Sequence, residues 1–285
     1  MLYLTNDSLD PAWNQAFEEY VFDHVTEDDV LLIWRNAPAV VFSRFLNVFA
    51  EVFVSEAVHR GILVRRRPSG GGTVYHDLGN VNYTIIRNGS PYDRDYASFI
   101  APVTETLRSL GIPADLSGES VIAVDGLKVS GSAQRAAHGR VMHHATLLYS
   151  SDLDALRTLT RGRRAWFTTK GTASKPAPVT NMRDHMASPF ASADDFLHAF
   201  TDALTQRLGA HHAPGPGKIR NLGLDLRQEP CLHLQPQRRM GKKLAGTGDG
   251  ARCARRVRGK KRRHSGRVLL PRVSGSHGTA HRAET

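Results

Sequence analysis

A run of three glycines between two strand-like segments dominates the first third of the chain. Residues 65–80 read RRRPSGGGTVYHDLGN. The apolar residues 62–64 before this run predict a buried strand, and residues 81–85 after it alternate between apolar and polar side chains, which predicts a half-buried strand. The glycine run is therefore expected to form a loop that connects two strands.

The composition of this loop indicates an anion-binding site. Glycine has no Cβ, so its backbone can take positive φ angles and its N–H groups can approach a ligand oxygen closely. Three arginines precede the glycines and supply forked donors that suit phosphate or carboxylate. Neither the phosphate-loop pattern nor the dinucleotide-binding glycine pattern is present, so the type of anion stays open at this point.

Charge is distributed unevenly along the chain. The 285 residues carry a formal net charge of +11, but residues 236–285 hold 15 of the basic residues and only 2 acidic ones. No aromatic residue follows Phe200. We therefore predict a folded domain over 1–235 and a basic tail over 236–285 that is disordered or encoded in a shifted reading frame.

The first residues and the cysteine content indicate a cytoplasmic protein. The N-terminus lacks the basic and apolar profile of a signal peptide, and no apolar run reaches the roughly 20 residues that span a bilayer. The chain has only two cysteines, Cys231 and Cys253, so neither a disulfide framework nor a zinc quartet is expected.

Several helices and strands have clear local signals. Asp10 and Pro11 predict the start of a helix that runs to Val21. Residues 30–34 and 39–42 predict two strands joined in a hairpin, and Asp125-Gly126 predicts a tight hairpin turn. Further segments are a strand over 143–149 and helices over 55–60, 93–110, 153–159 and 196–208.

Three motifs together resemble the lipoate-protein ligase family, within the wider group of biotin protein ligases and octanoyl transferases. They are the loop at 66–80, the segment KVSGSA at 128–133 and the segment HHATLL at 143–148. The resemblance covers about residues 1–230. It implies an α+β fold of the class II synthetase-like type, with a mixed, mostly antiparallel sheet flanked by helices.

The resemblance also implies a two-step reaction. Lipoate and ATP, with Mg²⁺, would give lipoyl-AMP and pyrophosphate. The lipoyl group would then pass to a lysine on a lipoyl domain of a 2-oxoacid dehydrogenase or on the carrier protein of glycine cleavage. We expect no membrane partner and no nucleic-acid partner.

The family motifs assign roles to individual residues. Lys128 is the expected catalytic cation, because a compact charge there could contact the lipoate carboxylate and the α-phosphate together. The expected nucleotide contacts are Arg67, Gly72, Thr73, Val74, Tyr75 and Lys128. The expected substrate contacts are Arg44, Gly71, His76, Ser130 and His144, with Trp34, Val41, Phe42 and Val74 as walls of an apolar acyl tunnel. Asp125 is the candidate Mg²⁺ ligand.

Some of these residues have an equally plain structural interpretation. His76 could fix the loop to the sheet instead of contacting a ligand, and His144 fits a hydrogen-bonded core histidine better than a pocket residue. Lys170-Gly171 matches a segment near the nucleotide, but the same residues fit an ordinary surface loop.

The sequence departs from the family at several positions, and these departures leave the function open. Ser43 and Leu46 replace the usual glycine and glutamine, and Ala145 replaces a glycine, so acyl specificity is open. An octanoyl transferase would use a cysteine thioester, but residues 1–230 contain no cysteine. Three further interpretations stay open: an inactive relative of the ligases, a biotin ligase, and a protein that binds nucleic acid through its basic tail.

Overall fold

The computed structural model describes residues 1–89, 95–160 and 168–212. The helices are α1 Pro11–His24, α2 Val48–Glu51, α3 Val54–His59, α4 Tyr96–Ser109, α5 Leu153–Leu159 and α6 Ala193–Leu208, with a 3₁₀ turn at Met182–His185. The strands are β1 Leu2–Leu4, β2 Val30–Trp34, β3 Ala39–Phe42, β4 Leu63–Arg66, β5 Val74–His76, β6 Asn80–Asn88, β7 Ala114–Ser117, β8 Val121–Val124, β9 Leu127–Ala137, β10 Arg140–Leu148 and β11 His211–His212. The predicted tail over 236–285 lies outside the described residues.

Two sheets organise the domain. The larger sheet has the order β11-β1-β2-β6-β10-β9-β8-β7, and the smaller has the order β4-β3-β5. In the larger sheet β1 runs parallel to β2 and β11. The neighbouring strands along the rest of that sheet, in the order β2-β6-β10-β9-β8-β7, are all antiparallel. The predicted mixed, mostly antiparallel α+β architecture is confirmed.

The hairpin predicted between β2 and β3 is wrong. β2 pairs with β1 and β6 in the larger sheet, whereas β3 pairs with β4 and β5 in the smaller one. Between the two strands, the buried amide of Asn36 accepts a hydrogen bond from Asn14 Nδ2 at 2.8 Å and donates to His76 Nδ1 at 2.9 Å. These bonds hold the connection between the two sheets against α1 and β5.

Burial of two strands also differs from the sequence pattern. All side chains of β6 from Asn80 to Ile86 are buried, because α1 covers the face that the alternation predicted to be exposed. Thr84 on that face donates to Glu18 of α1 at 2.6 Å. In contrast, β4 was predicted to be buried but is an edge strand, and Leu63 is 49% exposed.

Helices cover both faces of the larger sheet. On one face α4 and α6 bury an apolar cluster in which the rings of Tyr149 and Phe196 stack at 4.4 Å. On the other face α1 packs Phe17, Val21 and Phe22 against β2 and β10. A third cluster lies between the smaller sheet, α3 and α5. None of the described helices is long and apolar enough to cross a membrane.

The hairpin predicted at Asp125-Gly126 is confirmed. β8 ends at Val124 and β9 begins at Leu127, so the turn has two central residues. Their φ angles are +50° and +76°, the positive values that this turn type requires. The hairpin fixes the position of Lys128 at the start of β9.

Candidate active site

A cavity of about 540 Å³ lies where the glycine loop, the middle of the larger sheet and the β8–β9 hairpin meet. The loop contributes Gly71, Gly72 and Thr73, and the hairpin contributes Lys128, Gly131 and Ser132. Strands and α1 supply the remaining walls, and the segment 173–177 borders the cavity as well. The lining residues are Pro11, Gln15, Glu18, Trp34, Asn36, Val41, Arg67, Gly71, Gly72, Thr73, Val74, His76, Asn82, Ser120, Val121, Lys128, Gly131, Ser132, Ala133, His144, Ala145, Thr146, Ala173, Ser174, Lys175, Pro176 and Ala177.

Arg67 is buried and holds the glycine loop in shape. Its Nη2 donates to the carbonyls of Gly70 and Gly72 at 2.6 Å each, and its Nη1 donates to the carbonyl of Val41 at 3.2 Å. Its Nε donates to Ser69 Oγ at 3.1 Å. Burial lowers the pKa of Arg67 to about 10, and the nearby carboxylate of Glu18 partly offsets this effect. The guanidinium thus contributes positive charge to the cavity while most of its donors are bonded to the backbone.

A chain of buried polar side chains connects the loop to α1. Ser69 Oγ lies 2.6 Å from Nε2 of His144, and the other ring nitrogen of His144 lies 3.0 Å from Glu18 Oε1. Burial alone would raise the pKa of Glu18, but His144, the Thr84 hydroxyl and Arg67 together hold it below its ordinary value. Glu18 is therefore a paired carboxylate beneath the cavity.

His76 faces the cavity as a neutral ring. Its side chain is buried, its Nδ1 accepts the amide of Asn36, and the Trp34 ring meets it edge to face at 6.0 Å. Burial and the positive charge of Arg67, together with His144, lower the pKa of His76 to about 3. The ring fixes the turn after β2, and it also lines the cavity.

Lys128 presents the second cationic group of the cavity. An added Cβ on Gly131 would lie 2.6 Å from Lys128 Nζ, so the ammonium lies directly over the glycine. Burial, with a contribution from Arg67, lowers the pKa of Lys128. In the described part of the chain this ammonium has no hydrogen-bond or ion-pair partner. Its donors are available to a bound ligand.

The segment 168–177 closes over the glycine loop through Ser174. The Ser174 hydroxyl accepts a hydrogen bond from the backbone N–H of Thr73 at 3.2 Å and donates to Glu51 of α2. The backbone N–H of Ser174 donates to the same carboxylate at 3.0 Å. Sequence analysis pointed to Lys170-Gly171 in this segment, whereas the part of the segment that lines the cavity is 173–177.

Several predicted site residues lie together in the cavity and others do not. The lining includes Arg67, Gly71, Gly72, Thr73, Val74, His76, Lys128 and His144, together with the expected tunnel walls Trp34 and Val41. Tyr75 points instead into the apolar cluster under the smaller sheet. Ser130 is buried within β9, and Phe42 packs under the guanidinium of Arg66 at 4.3 Å.

Two further predicted residues lie at the surface. Arg44 is exposed, and its guanidinium lies 5.8 Å from the ring centre of Phe45. Asp125, the candidate Mg²⁺ ligand, has a largely exposed carboxylate 2.7 Å from Nδ1 of His185. Among the described residues no group of three His, Cys, Asp or Glu side chains could hold a metal ion. The described residues therefore do not form a protein cage for Mg²⁺.

The pairing of Glu18, Ser69 and His144 is a feature that sequence analysis missed. Ser69 and His144 are 75 positions apart, and Glu18 lies a further 51 positions before Ser69, so no local spacing predicts their contact. The Glu51–Ser174 contact is equally remote in sequence. No local signal marked Glu18, because Asn14 and Gln15 are buried polar residues of the same helix.

The cavity combines an apolar wall with a cationic rim. Trp34, Val41, Val74 and Ala133 form apolar surface, whereas Lys128, Arg67 and the backbone of the glycine loop supply positive charge and donors. This arrangement suits a ligand with an apolar chain that ends in an anionic group. It also suits a second anion, such as a phosphate, beside the first.

The chain is similar to known proteins over most of its described residues. The family model described as the lipoyl protein ligase A/B catalytic domain matches residues 10–205. Lipoate-protein ligase LplJ of Bacillus subtilis is 36% identical over 189 residues, which are 65% of this chain and 57% of that protein. A Blochmanniella pennsylvanica lipoate-protein ligase A is 34% identical over 217 residues, 74% of this chain and 63% of that protein. The chain thus spans less than two thirds of the length of these curated relatives.

Solved structures of the same fold include ligases with ligands or partners. A crystal structure of lipoate-protein ligase A bound with ATP superposes with a TM-score of 0.58 at 25% identity, and the match covers 75% of this chain and 87% of that one. The structure of a bipartite lipoate protein ligase and its E2 lipoyl domain from Thermoplasma acidophilum gives a TM-score of 0.63 at 22% identity, with 75% and 86% covered.

Proposed function

Since the chain belongs to the lipoyl protein ligase A/B catalytic-domain family, we propose that it activates lipoate with ATP and transfers the lipoyl group to a lysine of an acceptor protein. In the first step the lipoate carboxylate attacks the α-phosphate of ATP, which forms lipoyl-AMP and releases pyrophosphate. In the second step the lysine amine attacks the acyl carbon and AMP leaves. The observation that carries this proposal is the Lys128 ammonium, which no described residue pairs, beside the glycine loop in a cavity with an apolar wall.

Lys128 provides the central electrostatic contribution. The attacking carboxylate and the α-phosphate are both negative, so their approach requires a preorganised positive group between them. A lysine ammonium is a compact charge with three donors, and it can contact oxygens of both groups at once. Burial lowers the pKa of Lys128, and two bound anions would favour its charged form.

The glycine loop would hold the nucleotide. Gly71 has a φ angle of +88°, and an added Cβ would lie 2.8 Å from Arg67 Nη2, so this backbone geometry requires glycine. The carbonyls of Gly70 and Gly72 are held by hydrogen bonds from Arg67, which fixes the shape of the loop. The N–H of Thr73, now bonded to Ser174 Oγ, would be released to a phosphate oxygen if segment 168–177 moved.

The apolar wall would hold the acyl chain of lipoate. Trp34, Val41 and Val74 lie on this side of the cavity, with neutral His76 between them and the polar network of Asn36. A neutral ring adds no charge to an acyl pocket, which favours an uncharged chain. The ATP-bound ligase of the same fold supports ATP as the co-substrate.

The acceptor and cellular setting are part of the same proposal. The structural neighbour from Thermoplasma acidophilum is described as a bipartite lipoate protein ligase and its E2 lipoyl domain. We propose that the acceptor here is a lipoyl domain of a 2-oxoacid dehydrogenase or the carrier protein of glycine cleavage, in the cytoplasm. Octanoyl transfer through a cysteine thioester is less well supported, because the cavity lining among the described residues contains no cysteine.

Exchange of labelled pyrophosphate into ATP tests the first step. Lipoate, octanoate and biotin are supplied in turn, and we expect exchange with lipoate, weaker exchange with octanoate and none with biotin. Lys128→Met serves as the matched negative control on the same preparation. If no acid supports exchange while the protein is folded, the ligase proposal is wrong.

A further inference from the structure

Two exposed phenylalanines lie next to the loops that border the cavity. Phe45 is 59% exposed and Phe49 is 61% exposed, which is high for aromatic side chains. They are four positions apart, on either side of Asn47, whose side chain caps the short helix α2. We call Arg44, Phe45 and Phe49 the aromatic rim. Exposed aromatic side chains beside a cation are typical of protein-binding surfaces.

The aromatic rim is attached to both cavity loops. A Cβ added to Gly70 would lie 4.0 Å from the Phe45 ring. The backbone N–H of Arg44 donates to the Ser69 carbonyl at 3.1 Å. On the other side, the Phe45 carbonyl accepts the N–H of Thr172 at 3.1 Å. The rim therefore lies between the glycine loop and segment 168–177.

The cavity reaches the surface along segment 173–177. Lys175, Pro176 and Ala177 line the cavity, yet all three are exposed. The chain around this segment contacts the rim at Thr172, whose N–H donates to the Phe45 carbonyl, and the hairpin at Pro178, whose carbonyl accepts the N–H of Lys128. A protein that delivers a lysine into the cavity must contact surface of this kind.

The exposed charges near the rim are positive. Arg44, Lys170 and Lys175 are exposed, and the Arg44 guanidinium lies over the Phe45 ring at 5.8 Å. The acid on the same short helix, Glu51, is buried and bonded to Ser174, so its charge is turned inward. This surface complements a partner with negative charge around an apolar contact.

We infer that the aromatic rim is the docking surface for the acyl-acceptor protein, and that the acceptor presents acidic side chains beside its target lysine. This inference rests on the proposed function, because it assigns a surface to the second step. The rim residues would contribute to acceptor binding and not to adenylate formation. Phenylalanine and arginine supply contact area and charge at the centre of such interfaces.

Binding and half-reactions can be measured separately on the full chain. The probe is an isolated E2 lipoyl domain in its unmodified form, titrated into wild type, Phe49→Ser and the double variant Phe45→Ser/Phe49→Ser. We expect the double variant to bind the domain at least about tenfold more weakly, with a matching rise in KM for the domain. Pyrophosphate exchange with lipoate should stay within about twofold of wild type. Leu116→Ser is the control, because Leu116 is 43% exposed on β7.

Charge is tested by Arg44→Glu. Binding of the lipoyl domain to wild type should weaken as salt rises, and this dependence should be reduced in Arg44→Glu. Unchanged binding in the double variant would overturn the inference. An equal loss of exchange and transfer would also overturn it, since the rim would then belong to the cavity.

Two other outcomes remain distinguishable. If wild type fails to exchange pyrophosphate, the proposed function fails, whereas the titration with the lipoyl domain still decides whether the rim binds it. If wild type sediments as a dimer and the double variant as a monomer, the rim is a self-association surface and the inference is wrong.

Discussion

The glycine loop and the β8–β9 hairpin face the same cavity, but they hold their cations in opposite ways. In the loop, Arg67 is buried and its guanidinium donates to three backbone carbonyls and to Ser69. On the hairpin, Lys128 has no hydrogen-bond or ion-pair partner for its ammonium within the described ranges, and this ammonium lies over Gly131. One cation stabilises a backbone shape, whereas the other keeps its donors available.

This difference separates structural charge from reactive charge. A side chain whose donors are already bonded to carbonyls cannot bind a substrate without breaking those bonds, each worth about 1 kcal/mol net. An ammonium over a glycine can bind a ligand at little cost. We therefore expect substitutions of Lys128 to change catalysis alone and substitutions of Arg67 to change stability as well.

Lys128→Met should have the largest effect on activity. Loss of a preorganised donor at the reacting atoms costs about 3 to 4 kcal/mol of transition-state stabilisation, so exchange should fall by at least about 100-fold. The free energy of unfolding in urea should not fall, because no hydrogen bond to a described residue is lost and a buried, unpaired charge is removed. Lys170→Met, which removes an exposed lysine outside the cavity lining, is the matched control. If Lys128→Met exchanged pyrophosphate as fast as Lys170→Met, Lys128 would not be the reactive cation that we propose.

Arg67→Met should destabilise the fold and reduce activity together. The carbonyls of Gly70, Gly72 and Val41 would lose their donor, and Glu18 would lose a favourable charge. We expect a loss of about 3 kcal/mol in the free energy of unfolding, measured by urea denaturation. Arg65→Met, at a half-buried position on β4, provides the comparison. Wild-type stability in Arg67→Met would mean that the loop does not depend on its arginine.

Two glycine substitutions test the same difference between a structural contact and a reactive side chain. An added Cβ at Gly79 would lie 2.2 Å from the Ser150 carbonyl oxygen, and backbone atoms cannot move aside at low cost. Gly79→Ala should therefore lower the free energy of unfolding by about 2 to 3 kcal/mol.

At Gly131 the added Cβ meets the flexible end of Lys128 at 2.6 Å. Gly131→Ala should therefore leave the melting temperature within about 2 °C and slow exchange about tenfold by moving the ammonium. If Gly131→Ala unfolded like Gly79→Ala, the lysine would be more tightly held than we infer.

A further effect concerns acid sensitivity at the base of the cavity. The pKa of His76 is lowered to about 3 from an ordinary value of 6.5. Below pH 6.5 the unfolded chain binds a proton that the folded ring does not take up until about pH 3, so stability falls as the pH falls through this window. This group alone gives a slope of about 1.4 kcal/mol per pH unit.

His76→Gln should remove that slope. Urea unfolding at pH 7 and pH 5 measures it, with the exposed His59→Gln as the control. The variant will be less stable at pH 7, where it loses the bond to Asn36, but its stability should drop less between the two pH values. An unchanged pH dependence would show that protonation of His76 is not coupled to unfolding.

Local patterns predicted the elements better than their arrangement. The strands at Val30–Trp34 and Ala39–Phe42 and the helix at Leu153–Leu159 were predicted with the bounds that they have. The pairing of the two strands was not predicted correctly. Asn36 bonds to α1 and β5, and β3 pairs in a second sheet, through contacts that local spacing does not predict. Tertiary contacts therefore determined the topology.

The site shows the same limit. Three consecutive arginines indicated an anion site, but the sequence does not show which arginine is buried. In the structure Arg67 is buried, whereas Arg66 is half-buried. Arg66 donates hydrogen bonds to the carbonyls of Ser43, Arg44 and Leu46. The contact between Glu18 and His144 joins residues 126 positions apart, so only the folded chain reveals it.

Transfer of an oxygen atom from lipoate to AMP tests the proposed reaction most directly. Lipoate labelled with ¹⁸O in both carboxylate oxygens is incubated with ATP, the protein and hydroxylamine, and the AMP is analysed by mass spectrometry. If the carboxylate attacks the α-phosphate and hydroxylamine then attacks the acyl carbon, each AMP carries one ¹⁸O and the hydroxamate keeps the other. Unlabelled AMP, or label in inorganic phosphate with ADP as the product, would contradict an acyl-adenylate formed in the cavity around Lys128.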